Sequence, residues 1–70
     1  MGIARGDRVI VENALGERSE RVAMTGVVQG HDFMVVWVCR PDEWEAAQRE
    51  GRDPVGMPYP KDDVYAIAPA

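Results

Sequence analysis

The sequence predicts a mainly β protein: a small antiparallel barrel of about five strands with one short helix inserted at about 42–50. Three observations lead to this prediction. Short apolar stretches with a period of two are separated by turns that contain Gly, Asp or Asn. The strongest stretch, 33–40, is apolar on both faces, and a helical pattern follows it directly. Seventy residues make a single domain, 1–70, and we expect its ordered core at about 6–68.

The first two predicted strands lie in "RGDRVIVENALGE" and "ERVAMTGVVQG". Val9 and Val11 share one face of the first strand, and the segment 13–16 contains a turn. Gly26 interrupts the second strand. Because glycine weakens a strand interior, we expect Gly26 to mark a bulge or a sharp bend of the kind that curls a small sheet into a barrel.

The third predicted strand, "DFMVVWVCR", carries apolar side chains on both faces. One face holds Phe33, Val35, Trp37 and Cys39, and the other holds Met34, Val36 and Val38. A strand with one face in water would not show this pattern, so another part of the protein must cover the second face. We expect Phe33 and Trp37 to be core residues.

The segment "PDEWEAAQREG" predicts a helix of about nine residues. Pro41 ends the strand before it, Asp42 is the expected N-cap with Glu45 completing a capping box, and Gly51 is the expected C-terminal cap. So short a helix is unstable alone in water and must pack against the sheet. Trp44 is its only large apolar side chain.

The segments after the helix predict an extended stretch, a tight turn and a short final strand. "RDPVGMPYPKDD" contains three prolines and one glycine, which favours an extended segment over a central strand. "PKDDVYAIAPA" predicts a tight turn, with one aspartate capping it, followed by a short last strand at 64–67.

Three segments carry a resemblance to a known fold. "GDRVIV", "GVV" and "PKDDVYAI" resemble SH3-like barrels, in which a Pro-x-x-Asp-Val-type turn precedes the final strand. This resemblance covers most of residues 6–68 and implies a small antiparallel barrel. Separately, "CRPDEWEAAQREGRDP" and "MPYPKDDV" resemble short hypothetical proteins of actinobacteria and their phages, a likeness that implies no activity.

Charge and composition restrict the environment and the partners. Residues 1–31 carry four acids and four arginines, whereas 32–70 carry eight acids and four bases, so the net charge of −4 lies in the second half. This disfavours non-specific binding to a phosphate backbone. The longest apolar run, 33–39, is too short for a membrane span, and no signal-peptide pattern is present. We expect a cytoplasmic protein, in the host cytoplasm if it is phage-encoded, with no membrane association.

The sequence offers little catalytic chemistry. His31 and Cys39, the only His and Cys, are eight residues apart, or about 26 Å along a strand at about 3.3 Å per residue, which prevents a dyad within one chain. Cys39 is expected to be a small core hydrophobe and His31 to lie in an exposed turn. The adjacent Asp62 and Asp63 favour a turn over a metal site. We therefore expect a non-enzyme with no cofactor and no metal.

The residues that remain suggest two kinds of binding surface. A non-catalytic protein-interaction module, self-associating as a dimer or docking on another protein, would use the candidates Met34, Trp44, Met57, Tyr59 and Tyr65. In the competing interpretation, Trp44, Met57 and Tyr59 only cover the outer face of the third strand. A nucleic-acid-associated barrel would instead use Arg5, Arg8, Arg18 and Arg21. An accessory subunit of an enzyme complex is a third possibility.

Overall fold

The computed structural model describes residues 2–67 and shows a curled antiparallel half-barrel with one α-helix. The prediction of a mainly β protein with one inserted helix is confirmed. In chain order the elements are β1 (Arg8–Glu12), β2 (Arg18–Ala23), β3 (Val28–Gln29), β4 (Met34–Cys39), α1 (Pro41–Glu50), β5 (Met57–Pro60), a 3-10 turn (Lys61–Asp63) and β6 (Val64–Ala66).

The six strand segments act as five strands. β2 and β3 both pair with β4, through Val22 opposite Cys39 and Val28 opposite Val35, and they lie along the same edge because β5 occupies the other. The chain between them bends at 24–27, so the predicted second strand exists and is broken where Gly26 lies. A Cβ on Gly26 would lie 2.8 Å from the carbonyl oxygen of Ile3, so this bend needs a residue without a side chain.

The core lies on the concave face of the sheet and consists of small side chains. Alternation along each strand brings together Val9, Val11, Ala23, Val36, Val38 and Val64, with Ile3 and Tyr59 packed against them. The largest fully buried side chains are valines, each of which contributes roughly 1.5–3 kcal/mol on burial. A core of such small side chains buries little apolar area, so the backbone pairing of the strands must hold its residues in register.

Among residues 2–67, the outer face of β4 is covered only at its two ends. Val35 and Cys39 are buried there, but Trp37 between them is 39% exposed and Phe33 is 54% exposed. The expectation that both aromatic residues belong to the core is therefore wrong. The physical reason is that α1 packs against β2, whose Val22 pairs with Cys39 at one end of β4.

The caps of α1 differ from the prediction at one end. Arg40 occupies the N-cap position without a side-chain cap, and Pro41 begins the helix, so the assignment of Asp42 as N-cap is wrong. Proline suits the first helical position because its fixed φ is helical and its missing N–H would have no partner there. Gly51 adopts the left-handed conformation at φ 65°, which confirms it as the C-terminal cap.

β5 forms an edge of the half-barrel. It pairs with β4 alone, and proline occupies two of its four positions, Pro58 and Pro60. Prolines are tolerated at an edge because the N–H they lack would point away from the sheet. Gly56 leads into this strand directly against β4, where an added Cβ would overlap the carbonyl oxygen of Val38 and approach the sulfur of Met24.

Replacing Gly56 with alanine is expected to lower the free energy of unfolding by about 1–3 kcal/mol, because backbone at this point must move to admit the methyl group. Urea denaturation followed by tryptophan fluorescence measures the change. Gly2→Ala is the matched control, since a Cβ there meets no atom within 4 Å. Equal stabilities for the two variants would contradict the close approach at Gly56.

Candidate protein-interaction surfaces

The five residues predicted to bind a partner do not form one surface. Met57 and Tyr59 lie opposite Val38 and Val36, on the concave face, and Tyr59 packs against the core. Tyr65 lies opposite Ile10 on the other face of the sheet. The remaining two are half-buried: Met34 at the start of β4 and Trp44 on α1.

Trp44 packs within its own chain, against the N-terminal turn. Its ring lies beside Gly6, with Cζ2 3.7 Å from the position of an added Cβ, and the Arg5 guanidinium lies 5.1 Å from the ring centroid. Arg5 also donates a hydrogen bond of 2.8 Å to the carbonyl of Met24. Trp44 therefore joins α1 to residues 5–6 and leaves the middle of β4 uncovered.

An apolar groove lies on the outer face of β4, in the space that α1 leaves open. We call it the β4 groove; its volume is about 490 Å³, and its lining residues are Gln29, Gly30, His31, Asp32, Phe33, Val35, Trp37 and Pro58. This volume is within the range of sites that bind small ligands or single side chains. Trp37 and Pro58 pair across the strands, so they form one continuous apolar wall.

The turn 30–33 holds the other wall of the β4 groove in place. The Gly30 N–H donates to the carbonyl of Phe33 at 2.9 Å, and a Cβ on Gly30 would lie 2.8 Å from a methyl group of Val35. The turn is thus pressed onto the sheet and carries Phe33 at the rim. Two exposed aromatic side chains thus lie beside the apolar Val35, together with polar lining residues, and exposed aromatic groups of this kind are enriched at interfaces.

The narrow apolar contact of the helix after β4 was an indication in the sequence that this groove is open, but the apolar pattern of the strand pointed the other way. Phe33 and Trp37 alternate on one apolar face, a pattern that predicts burial on both sides of the strand. The helix that follows spans ten residues, and only Ala47 is buried along it. A helix with so narrow an apolar contact cannot cover a whole strand, and both Phe33 and Trp37 are exposed.

A second groove, of about 260 Å³, lies where β4 ends and the loop before β5 begins. We call it the arginine groove; it is lined by Arg21, Val38, Cys39, Arg40, Val55, Gly56 and Met57. Within it Val55 is 75% exposed and Met57 is 56% exposed. The groove combines an apolar floor with two cationic side chains.

A carboxylate clamp fixes the loop that forms one wall of the arginine groove. Glu43 accepts hydrogen bonds from Arg52 at 2.6 and 3.3 Å and from the Val55 amide at 2.9 Å. The bonds from Arg52, and next the bond from Val55, lower the pKa of Glu43 to about 2. Arg52 also donates to Glu50 at 2.7 Å, and its own pKa is raised by both carboxylates, Glu43 first.

The four N-terminal arginines lie in different environments. Arg8 contacts Glu20, and Arg18 donates to Glu12 at 2.9 Å while lying 5.1 Å from the ring centroid of Tyr65. Arg5 lies over the ring of Trp44, as described above. Arg21 pairs with Val9, which places it on the opposite face of the sheet from Arg8, the partner of Val22. They do not form one continuous stripe.

The groups considered for chemistry are far apart in the fold. Cys39 is buried at the end of β4, and burial raises the pKa of its thiol, whereas His31 precedes β4 in an exposed turn. Both positions agree with the sequence prediction. Asp62 and Asp63 lie in the 3-10 turn, where no side chain caps the backbone, so the capping role expected of one of them is wrong. Within residues 2–67, no three or more His, Cys, Asp or Glu side chains cluster as metal ligands would.

Comparison of this chain with models of known protein families, with curated proteins and with solved structures found no match. Between residues 2 and 67, no helix has the length and apolar character needed to cross a membrane. The arguments for function therefore come from the two grooves.

Replacing Trp44 with alanine is expected to cost about 2–3 kcal/mol of stability, somewhat less than the ~3 kcal/mol or more typical of a fully buried ring, because Trp44 is half-buried. The loss arises because the ring packs on Gly6 and under Arg5. Chemical denaturation measures it, with Trp44→Phe as the variant that retains an aromatic ring. A loss below about 0.5 kcal/mol, typical of an exposed surface site, would contradict this packing.

Replacing Glu43 with glutamine is expected to lower stability most at neutral pH. The folded pKa of Glu43, about 2, lies below the ordinary carboxyl value of about 4.3, so its ionised form stabilises the fold above pH ~5. That contribution is lost as the pH falls through 4 towards 2. Denaturant titrations at several pH values should show the wild type and Glu43→Gln converging in acid. A difference that stays constant from pH 7 to pH 2 would contradict the clamp.

Proposed function

We propose that this chain is a small non-catalytic protein-interaction module that binds an apolar segment of a second protein chain in the β4 groove. The observation that carries the proposal is the exposure of Trp37 on β4 and of Phe33 just before this strand, although the other outward side chains of β4 are buried. Aromatic side chains are costly to leave in water and dominate the energetics of interfaces. Covering the two rings with a partner would remove this apolar area from water.

The sheet edge beside the β4 groove is better suited to the docking of a side chain than to the addition of a further strand. Pro58 and Pro60 lie in β5, and neither can donate a backbone hydrogen bond to an added strand. The groove beside them is lined by one aromatic wall, one turn and the floor at Val35. An inserted side chain therefore fits this surface better than an extra strand does.

We further propose that the half-barrel is an SH3-like barrel. The 3-10 turn at Lys61–Asp63 directly before β6 supports this, because it occupies the Pro-x-x-Asp-Val position on which the resemblance rests. An adaptor acting in the cytoplasm, or an accessory subunit of an enzyme complex, would use the same groove. Nucleic-acid binding has less support, since Arg8 and Arg18 are paired with carboxylates and Arg21 lies on another face.

Selection of peptides against the immobilised protein tests this proposal. A Trp44→Phe background leaves Trp37 as the only tryptophan, so its fluorescence reports on the β4 groove. Peptides from a random displayed library are expected to shift the Trp37 emission and to lose about tenfold or more in affinity with Phe33→Ser, because an interface aromatic contributes ~2 kcal/mol or more. Leu15→Ser, which removes another exposed apolar residue far from this strand, is the matched control.

Sedimentation velocity over a range of protein concentrations distinguishes a second copy of this chain from a different protein as the partner. Self-association that is lost with Trp37→Ser and kept with Leu15→Ser identifies a second copy of this chain as the occupant. Peptide binding by a strict monomer identifies a different protein. If the protein stays monomeric and no selected peptide distinguishes Phe33→Ser from Leu15→Ser, the proposed function is wrong.

A further inference from the structure

We propose that the arginine groove is a second docking site, which takes a carboxylate side chain flanked by apolar residues from a partner protein. It shares no lining residue with the β4 groove. The inference shares with the proposed function only the expectation of a protein partner. It assigns a specific chemistry, an acidic and apolar peptide segment, to a surface that the proposed function does not use.

The first step of the argument is the unused hydrogen-bonding capacity of Arg21. Its Nη1 donates to the backbone carbonyl of Glu20 at 2.8 Å, and among residues 2–67 no carboxylate lies within 4.0 Å of its guanidinium. An arginine has five N–H donors in a planar fork that matches a carboxylate. In this structure most of that fork faces the groove or solvent without an anionic partner.

Two acids beside residues of the groove, Glu20 next to Arg21 in sequence and Glu43 at Val55, are already engaged with other partners. The carboxylate of Glu20 contacts Arg8, and that of Glu43 is held by Arg52 and the Val55 amide. Arg40, the second cation of the groove, lies 3.2 Å from Asp42 in a largely exposed pair, which water screens strongly and a ligand can exchange. The groove is thus a cationic site on a chain of net charge −4, and its charge is complementary to a carboxylate.

The apolar part of the groove restricts the anion to one attached to apolar groups. Its floor is formed by the buried Val38, which faces the same side of the sheet as Met57, and its wall by the exposed Val55 and Met57. Methionine adapts its shape to apolar partners and is enriched at interfaces. A phosphate backbone would instead require a track of several cations, which two arginines beside an apolar wall do not provide.

The wall is fixed before any partner binds. Gly56 lies against the Val38 carbonyl, and the Glu43 clamp holds the amide of Val55, so two adjacent residues of the loop are held in place. A preformed wall reduces the entropy lost on binding. The wall of the groove therefore does not have to become ordered before it binds a short peptide segment.

The experiment is an NMR titration with two capped tripeptides, acetyl-Leu-Glu-Leu-amide and its glutamine isostere acetyl-Leu-Gln-Leu-amide. The acidic peptide is expected to give saturable shifts of the backbone amides at 38–40 and 55–57 in the millimolar range. The isostere should bind about tenfold more weakly, because it loses a charge-assisted pair. Arg21→Gln should reduce the affinity of the acidic peptide to that of the isostere, and Arg49→Gln, which removes a charge outside the groove, should leave it unchanged.

Several results would overturn the inference. Equal binding of the two peptides, or shifts that map to other amides, would do so. So would the absence of saturable shifts up to roughly 10 mM peptide, which would mean a binding free energy weaker than about −3 kcal/mol. Tighter binding of a thymidine oligonucleotide at the same amides would also contradict the inference. If Arg21→Gln fails to fold, the comparison of the two peptides on the wild type still decides. The Trp37→Ser variant should bind the acidic peptide normally, so failure here and failure of the proposed function are distinguishable.

Discussion

The fold depends on one strand, β4, which is paired along both edges and apolar on both faces. β2 and β3 bind one edge and β5 the other, so this strand joins every part of the sheet. Its inward residues Val36 and Val38 are the centre of a core made of valines and alanine. A core with so few large side chains depends on correct register, and β4 sets that register for its neighbours.

The outward side of the same strand explains the protein's exposed surface. A domain of seventy residues has enough chain for one short helix, and that helix packs at the Cys39 end, tied to the N-terminal turn through Trp44. The turn at Gly30 covers Val35 at the other end. Trp37 lies between the two covers, and the β4 groove is the space that neither of them fills.

The charged side chains are arranged differently from the apolar ones. Most arginines of the described chain lie close to acids, as in the contacts of Arg8 with Glu20 on the neighbouring strand and of Arg52 with Glu43 on α1. Arg21 differs because strand alternation turns it to the concave face, where its cross-strand partner in β1 is Val9. A small acidic protein thus keeps one cationic position beside an apolar wall, and that combination gives the arginine groove its chemistry.

The sequence alone determined the elements. Period-two valines marked β1, Gly26 marked the bend between β2 and β3, and Gly51 marked the end of α1, because each effect acts within a few residues. Only the tertiary structure decided which face the helix covers, and therefore that Phe33 and Trp37 are exposed while Tyr59 packs on the core. Periodicity shows that a face is apolar, but the cover on that face comes from chain distant in sequence. The same limit hid the arginine groove, since Arg21 and Met57 meet only through the pairing of both their strands with β4.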